Sequence, residues 1–368
     1  MQIFQKNLSI SIPYQFSSDK SIKETEVLFF DIETTGFLPD ISSIYLIGCC
    51  YNKNNCWNLI QFFADDYISE PVLLQSFCDF ATDYKTMIHF NGSRFDIPYL
   101  QKKLIHYNMT FSFDSFLQID LYKKIHPYKK ILGLPDLKQK TVEGFLSLPR
   151  IDSYTGRELI DVYAAYMKDK FGHKEDTEIE QNKLLLHNEE DVTGLIWLTS
   201  LMAYTDLFEK KPDSCKVTAC KNSVTFEIPL RNTLLKPIHL QIPQIGFHAF
   251  ENNAQITVSF IQGELKYYYA NYKDYYYLPS EDTAMHKSVA EFVDKKFREK
   301  AKASNCYTRK TGFFLPQFHG NLEPAFRADY KDKQSYIQAS ERFLSDSGLC
   351  CQYAFILLQH LLHTIKKI

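Results

Sequence analysis

Several absences narrow the reading of this sequence before any motif is found. No run approaches the roughly 20 consecutive apolar residues that a membrane-spanning helix needs. The C-terminal FILLQHLLHTI is broken by Gln359 and His360. The N-terminal MQIFQKNLSISIPYQF lacks a basic segment leading into a continuous apolar one, so no secretory signal is expected. Nine cysteines are present, with neither Cys-x-x-Cys nor a paired Cys/His spacing, which excludes a zinc ribbon. Their odd number, and the apolar surroundings of Cys49-Cys50 and Cys350-Cys351, predict reduced, mostly buried thiols. Together these features predict a cytoplasmic protein with no membrane partner. No fixed-period repeat emerges.

Charge of one sign is missing too. The 42 Lys and Arg nearly balance the 44 Asp and Glu, leaving a net charge of -2. That balance does not exclude nucleic acid, because such an enzyme needs positive potential only along one groove. Aromatic residues are abundant at 15%, with 24 Tyr and 29 Phe, enough for large cores and for stacking surfaces. A length of 368 residues suits two ordinary domains, or one large domain with an extension.

Strand-like patterns run through VLFFDIE, SIYLIGCCY (43–51) and CWNLIQFF (56–63), joined by short turns, and predict an antiparallel meander. Val72, Leu73, Phe77 and Phe80 recur at helical spacing within 70–84. A strand over 86–90 leads to Asn91-Gly92 and a helix with Pro98 in its first turn. A further strand is expected over 112–121, and helices over 135–146, 157–168 and 182–204. Three strands followed by alternating helix and strand imply an α/β fold, a mixed sheet covered by helices. The character changes near Lys211-Pro212. Beyond it SVTFEIPL, IHLQIP, QITVSFI and ELKYYYA read as strands, a helix is expected over 282–302, and more helix closes the chain. The expected organisation is an N-terminal segment (1–24), an α/β domain (25–208) and a C-terminal α+β domain (213–368).

The stretch VLFFDIETTGFLPD drives two acids into the end of an apolar strand. Residues i and i+2 of a strand share a face, so Asp31 and Glu33 project together while Ile32 turns away. Two carboxylates so close repel unless protonated or neutralised by a cation, and hard oxygens suit Mg²⁺ or Mn²⁺. In HFNGSRFDIPYL, Asp96 sits at the start of a helix, where an ordinary cap is the plainer reading taken alone. In LLLHNEEDVTGLIWL, His187 and Asp191 are i and i+4 on one helical face. Glu189 and Glu190 are expected on the solvated side. Taken together, Asp31, Glu33, Asp96 and Asp191 supply about four negative charges, which two divalent cations would neutralise. Such a pair activates water for in-line attack on a phosphodiester, and His187 is placed to orient or deprotonate that water.

At this point FDIETTG, FNGSRFDIPYL and HNEEDV, in this order, resemble the three exonuclease motifs of the DnaQ-like (DEDD) superfamily. The YprB-type ribonuclease H-like group is the most similar, and Asn-Gly-x-x-Phe-Asp is similar to the proofreading exonuclease domain of B-family DNA polymerases. The resemblance covers about residues 25–205. It implies a ribonuclease H-like mixed sheet flanked by helices and 3′→5′ removal of nucleotides from single-stranded DNA or RNA. It also implies Asp31, Glu33, Asp96 and Asp191 as ligands of two Mg²⁺ or Mn²⁺ ions, with His187 as general base. Thr34 and Thr35 would lie beside the terminal nucleotide, and Asn91 and Phe95 would shape the site. The third motif departs from both family branches. One has Tyr four residues before the last Asp and the other has His five before it. Here His187 stands four before, and the position five after it is Val192.

Other residues have plainer readings. Asp120 is a possible fifth acid but more simply a helix start. Arg150 is either a phosphate contact or an ion-pair member. GELKYYYANYKDYYYLP carries seven Tyr, either a stacking platform for bases or half-buried strands. Residues 295–310 hold seven Lys or Arg and one acid, Glu299, either a path for a phosphate backbone or a solvated helix face. His286, His319 and Cys306 lack metal-ligand spacing. Besides the exonuclease, two functions fit: an inactive nucleic-acid-binding module on a nuclease-like scaffold, and an endonuclease or ribonuclease using the same metal site.

Overall fold

Strand β2 (Val27–Thr34) is buried along most of its length because its apolar run lies between two neighbours, and this decides where the acids emerge. It pairs antiparallel with β3 (Ile44–Lys53) and parallel with β5 (Thr86–His89). With β1 (Gln2–Leu8), β4 (Cys56–Phe63) and β6 (Leu117–Asp120) these form a six-stranded mixed sheet, ordered β1-β4-β3-β2-β5-β6. The computed structural model describes residues 1–16, 22–172, 177–318 and 322–367. His319 lies outside them.

The chain divides into two compact units, Met1–Thr205 with Arg231–Lys236, and Asp206–Leu230 with Pro237–Ile368. Within the N-terminal segment, Gln2–Leu8 join the sheet, since β1 pairs with β4 from Gln2↔Phe63 to Leu8↔Trp57. In the first unit, helices α1 (Glu70–Ala81), α2 (Asp96–His106), α3 (Leu121–Ile125), α4 (Gln139–Phe145), α5 (Gly156–Phe171) and α6 (Glu178–Leu198) accompany the sheet. The core joins Phe30, Phe62 and Phe63 of the sheet to Phe77 of α1, Leu100 of α2, Tyr163 of α5 and Leu184 of α6. The strand expected over 112–121 shortens to β6, since Ser112 starts a one-turn helix at Phe113–Ser115. The helix expected over 182–204 starts earlier, at Glu178, and ends at Leu198, and after a short turn a separate helix, α7 (Met202–Glu209), follows.

In the second unit, β7 (Lys216–Ala219), β8 (Ser223–Ile242) and β9 (Ile245–Ser259) form one sheet. The two expected strands SVTFEIPL and IHLQIP are a single strand, β8. Pro229 and Pro237 lie beyond the residues Val224–Glu227 that pair with β7, where a missing N–H costs least. Strands β10 (Ile261–Tyr268), β14 (Tyr307–Gln317), β15 (Phe326–Arg327) and β16 (Ser335–Gln338) close a small barrel.

The helix expected over 282–302 does not form. β12 (Thr283–His286) pairs with β11 (Tyr275–Leu278), only Lys287–Ala290 is helical (α8), and β13 (Glu299–Lys300) returns to β11. Strand pairing overrides helix propensity here because Phe292, 91% exposed, and Phe297, 53% exposed, find no face to cover. The tyrosines of β10 and β11 are half-buried and pack on one another, with Tyr269 stacked on Tyr275 at 4.8 Å. After the short helix α9 (Glu341–Ser345), α10 (Ser347–Lys367) is the one helix among the described residues long and apolar enough to cross a membrane by length and composition. It buries Tyr353, Leu357, Leu358 and Leu361 within the unit, as a core helix does.

Candidate active site

The site is built where β2, the start of α2 and the middle of α6 meet. In the β2–β3 pairing, Asp31 lies opposite Gly48 and Glu33 opposite Leu46, so the two acids share one face of the sheet. Beyond β5, Asn91 adopts a left-handed φ of 60°, a conformation Asn accepts at low cost. A Cβ on Gly92 would lie 2.7 Å from His89 Nδ1, which accepts the Gly92 N–H at 3.1 Å. This turn delivers Asp96 to the first position of α2, buried, with its carboxylate toward the backbone of Ile32.

Helix α6 brings His187 and Asp191. His187 Nε2 lies 3.3 Å from Asp191 Oδ2 and 3.7 Å from Glu33 Oε1. One donor atom from each of Glu33, His187 and Asp191 lies within 4.8 Å of the others. Asn188, fully buried, donates through Nδ2 to Asp31 Oδ2 at 3.2 Å and accepts from Gln61 Nε2 at 3.0 Å.

The electrostatics follow from this crowding. Burial, then Glu33, Asp96 and Asp191, push Asp31 well above the ordinary carboxylate range, with the Asn188 hydrogen bond opposing. Burial, with Asp191 and Asp96, carries Glu33 up to about 8 against the pull of His187. Asp96 rises to about 7, mainly through burial. Burial pulls His187 down, but Asp191, Glu33 and Asp152 outweigh it and raise it to about 9. Burial would raise Asp191, yet His187 and Arg150 hold it below its usual value. Three buried acids that resist ionisation beside hard oxygen donors form a set that a divalent cation fits.

Around this set runs a cationic brace. Arg150 pairs with Glu143 Oε2 at 2.9 Å, Asp152 Oδ2 at 3.1 Å and Glu190 Oε2 at 3.6 Å, and also with Asp191. It is therefore an ion-pair member. Glu190, expected in solvent, accepts the Ile151 and Asp152 N–H groups at 2.8 and 2.9 Å. Asp120 caps α3 and also accepts the Asn91 N–H at 2.9 Å, so it holds the turn before Asp96.

The remaining expected residues have mixed positions. Thr34 Oγ1 donates to the Gly36 carbonyl at 2.9 Å, and Thr35 Oγ1 accepts from Ser43 N at 2.8 Å, so both hydroxyls hold the turn after β2. Half-buried Phe95 meets exposed Phe37 edge-on at 6.4 Å. Cys306 is a buried thiol, and His286 bonds with Ser288 at 2.7 Å. Reading the sequence missed Asn188, Asp152 and Gly48. Gly48 carried a signal: a glycine inside an apolar strand marks a close approach, and a Cβ there would lie 2.0 Å from Asn188 Oδ1.

A family model described as the RNase H superfamily matches residues 28–203. The match spans just under half of the chain. The chain is similar to DNA polymerase 1 of Sulfurisphaera ohwakuensis, with 28% identity over 127 aligned residues that cover 26% of this chain and 15% of the polymerase. Among solved structures, the family B DNA polymerase of Pyrobaculum calidifontis is similar with a TM-score of 0.36 and 12% identity, over 67% of this chain and 35% of that one. The zinc-bound E. coli ExoI–ssDNA complex is similar with a TM-score of 0.28 and 11% identity, over 93% of this chain and 72% of that one. The chain thus spans about one seventh of the curated polymerase and about a third of the archaeal polymerase structure.

Proposed function

We propose that this chain is a metal-dependent nuclease that removes nucleotides from the 3′ end of single-stranded DNA or RNA. The observation that carries the reading is the mutual crowding of Asp31, Glu33, Asp96 and Asp191, with His187 beside Glu33 and Asp191 and three of the acids raised by burial and mutual repulsion. Bound divalent cations, Mg²⁺ or Mn²⁺ in a pair, supply Lewis acidity and an activated water for in-line phosphodiester hydrolysis. The four carboxylates would hold them, and His187 completes the catalytic set. Asn188 fixes the rotamer of Asp31, while Asp120 fixes the turn that presents Asp96. Phe95 and Phe37 offer ring faces beside the acids for a terminal base. Thr34, Thr35 and Asn91 shape that pocket through the backbone they hold.

The second unit serves as a nucleic-acid-binding domain in this reading. Its support is the exposed segment 292–302, where Phe292 and Phe297 stand among Lys295, Lys296, Lys300 and Lys302. Nine free cysteines suit a reducing compartment such as the cytoplasm.

Linear and circular single strands of one sequence, incubated with Mn²⁺ or with EDTA, test the reading. Digestion of the linear strand alone, abolished by EDTA, is expected. Digestion of the circle would replace the exonuclease with an endonuclease, and binding of both without digestion would leave an inactive module.

A further inference from the structure

His187 is gripped from behind. Its Nδ1 lies 2.7 Å from Asp152 Oδ2. The Asp152 side chain is 1% exposed, and the same oxygen receives Lys140 Nζ and Arg150 Nη2, each at 3.1 Å. Its other oxygen accepts the Tyr154 N–H at 3.0 Å. A carboxylate held by this many donors cannot turn away, so it fixes both the ring plane and the tautomer, with the proton on Nδ1. The other ring nitrogen, Nε2, faces Asp191 Oδ2 and Glu33 Oε1, 3.3 and 3.7 Å away, and pairs with Asp191 while it carries a proton.

These separations let Nε2, once it has released its proton to solvent, share one cation with the two carboxylates. Donors ~2.0–2.2 Å from one ion lie at most ~4.4 Å apart, and both His187 separations fall inside that limit. A histidine whose far nitrogen donates to a buried carboxylate is the usual form of a metal-bound imidazole.

We propose that His187 is a direct ligand, through Nε2, of the cation held by Glu33 and Asp191, with Asp152 as its positioning residue. The nitrogen donor makes this site prefer a first-row transition cation over Mg²⁺, which favours an all-oxygen shell. The proposal rests on the metal-dependent reading of the site and replaces the general-base role expected for His187 from sequence.

Pulsed electron paramagnetic resonance of Mn²⁺ bound to the full-length protein tests it without any turnover. The expected spectrum carries imidazole-nitrogen modulation that changes when histidine is labelled with ¹⁵N, an assay that needs no variant. In folded His187→Gln the modulation disappears, and Mn²⁺ affinity falls ~10–100-fold while Mg²⁺ affinity changes little. Asp152→Asn retains the modulation and weakens Mn²⁺ binding by at least ~10-fold. Mn²⁺ bound without histidine modulation, and weakened by Glu33→Gln, would overturn the ligand assignment and leave the carboxylate site standing. Failure of the folded wild-type protein to bind Mn²⁺ would overturn both readings.

Discussion

Asn188 and Gly48 are fitted to each other: the amide that holds Asp31 occupies the space where any side chain at position 48 would begin. A Cβ on Gly48 would lie 2.0 Å from Asn188 Oδ1, and Asn188 is fully buried between Gln61 and Asp31. Gly48→Ala therefore displaces the amide. Overpacking should cost about 1–3 kcal/mol in urea denaturation, and calorimetric titration should show Mn²⁺ affinity reduced by at least ~10-fold. Adding Asn188→Ala should restore much of the stability but not the affinity, separating lost space from lost orientation of Asp31.

Cations should stabilise the folded protein, since Asp31, Glu33 and Asp96 are held together at the expense of burial and repulsion. At a hundredfold excess over its dissociation constant, Mn²⁺ should add about 2.7 kcal/mol to unfolding. Thermal scans of wild type beside Glu33→Gln check this. The variant should gain much less from Mn²⁺.

Arg150 is 12% exposed and serves Glu143, Asp152, Glu190 and Asp191 at once. Arg150→Ala leaves buried carboxylates unpaired, at a cost of about 3–5 kcal/mol. Arg150→Lys should recover only part of that in the same denaturation assay, because an ammonium cannot reproduce the guanidinium fork.

Asp120 receives the Asn91 N–H at 2.9 Å, pairs with Ser93 and caps α3. Asp120→Ala should cost about 1–3 kcal/mol. Hydrogen exchange at Asn91 and Ser93 should accelerate more than exchange in β2.

Phe292 is 91% exposed and Phe297 53%, so Phe292→Ser with Phe297→Ser should change stability by less than about 0.5 kcal/mol. Anisotropy of a labelled oligonucleotide in Ca²⁺ should show binding weakened by ~10-fold or more, since each stacked base is worth about 1–3 kcal/mol. Lys295→Gln with Lys296→Gln should instead flatten the salt dependence.

The meander, the strand that became β5 and the sharing of one face by His187 and Asp191 were legible because apolar periodicity and i, i+4 spacing report directly on burial. The Arg150–Asp152 brace was not. Its residues lie in SLPRIDSYTGREL, a segment without periodicity, and the partners that tie it to the site, His187, Glu190 and Asp191 of α6, are 35 or more residues away. Residues 282–302 misled for the opposite reason: a helix-forming composition was overruled by pairing of Thr283–His286 with β11. Asp120 carried two roles, and only the cap was visible from its neighbours in sequence.

The most direct measurement is cleavage of 5′-labelled single-stranded DNA and RNA with Mg²⁺ or Mn²⁺, wild type beside Asp191→Ala. A metal-dependent ladder shortening from the 3′ end, absent in the variant, is the predicted result. Equal cleavage by both proteins, or none by the wild type while it still binds the strand, would contradict the role assigned to this cluster of acids.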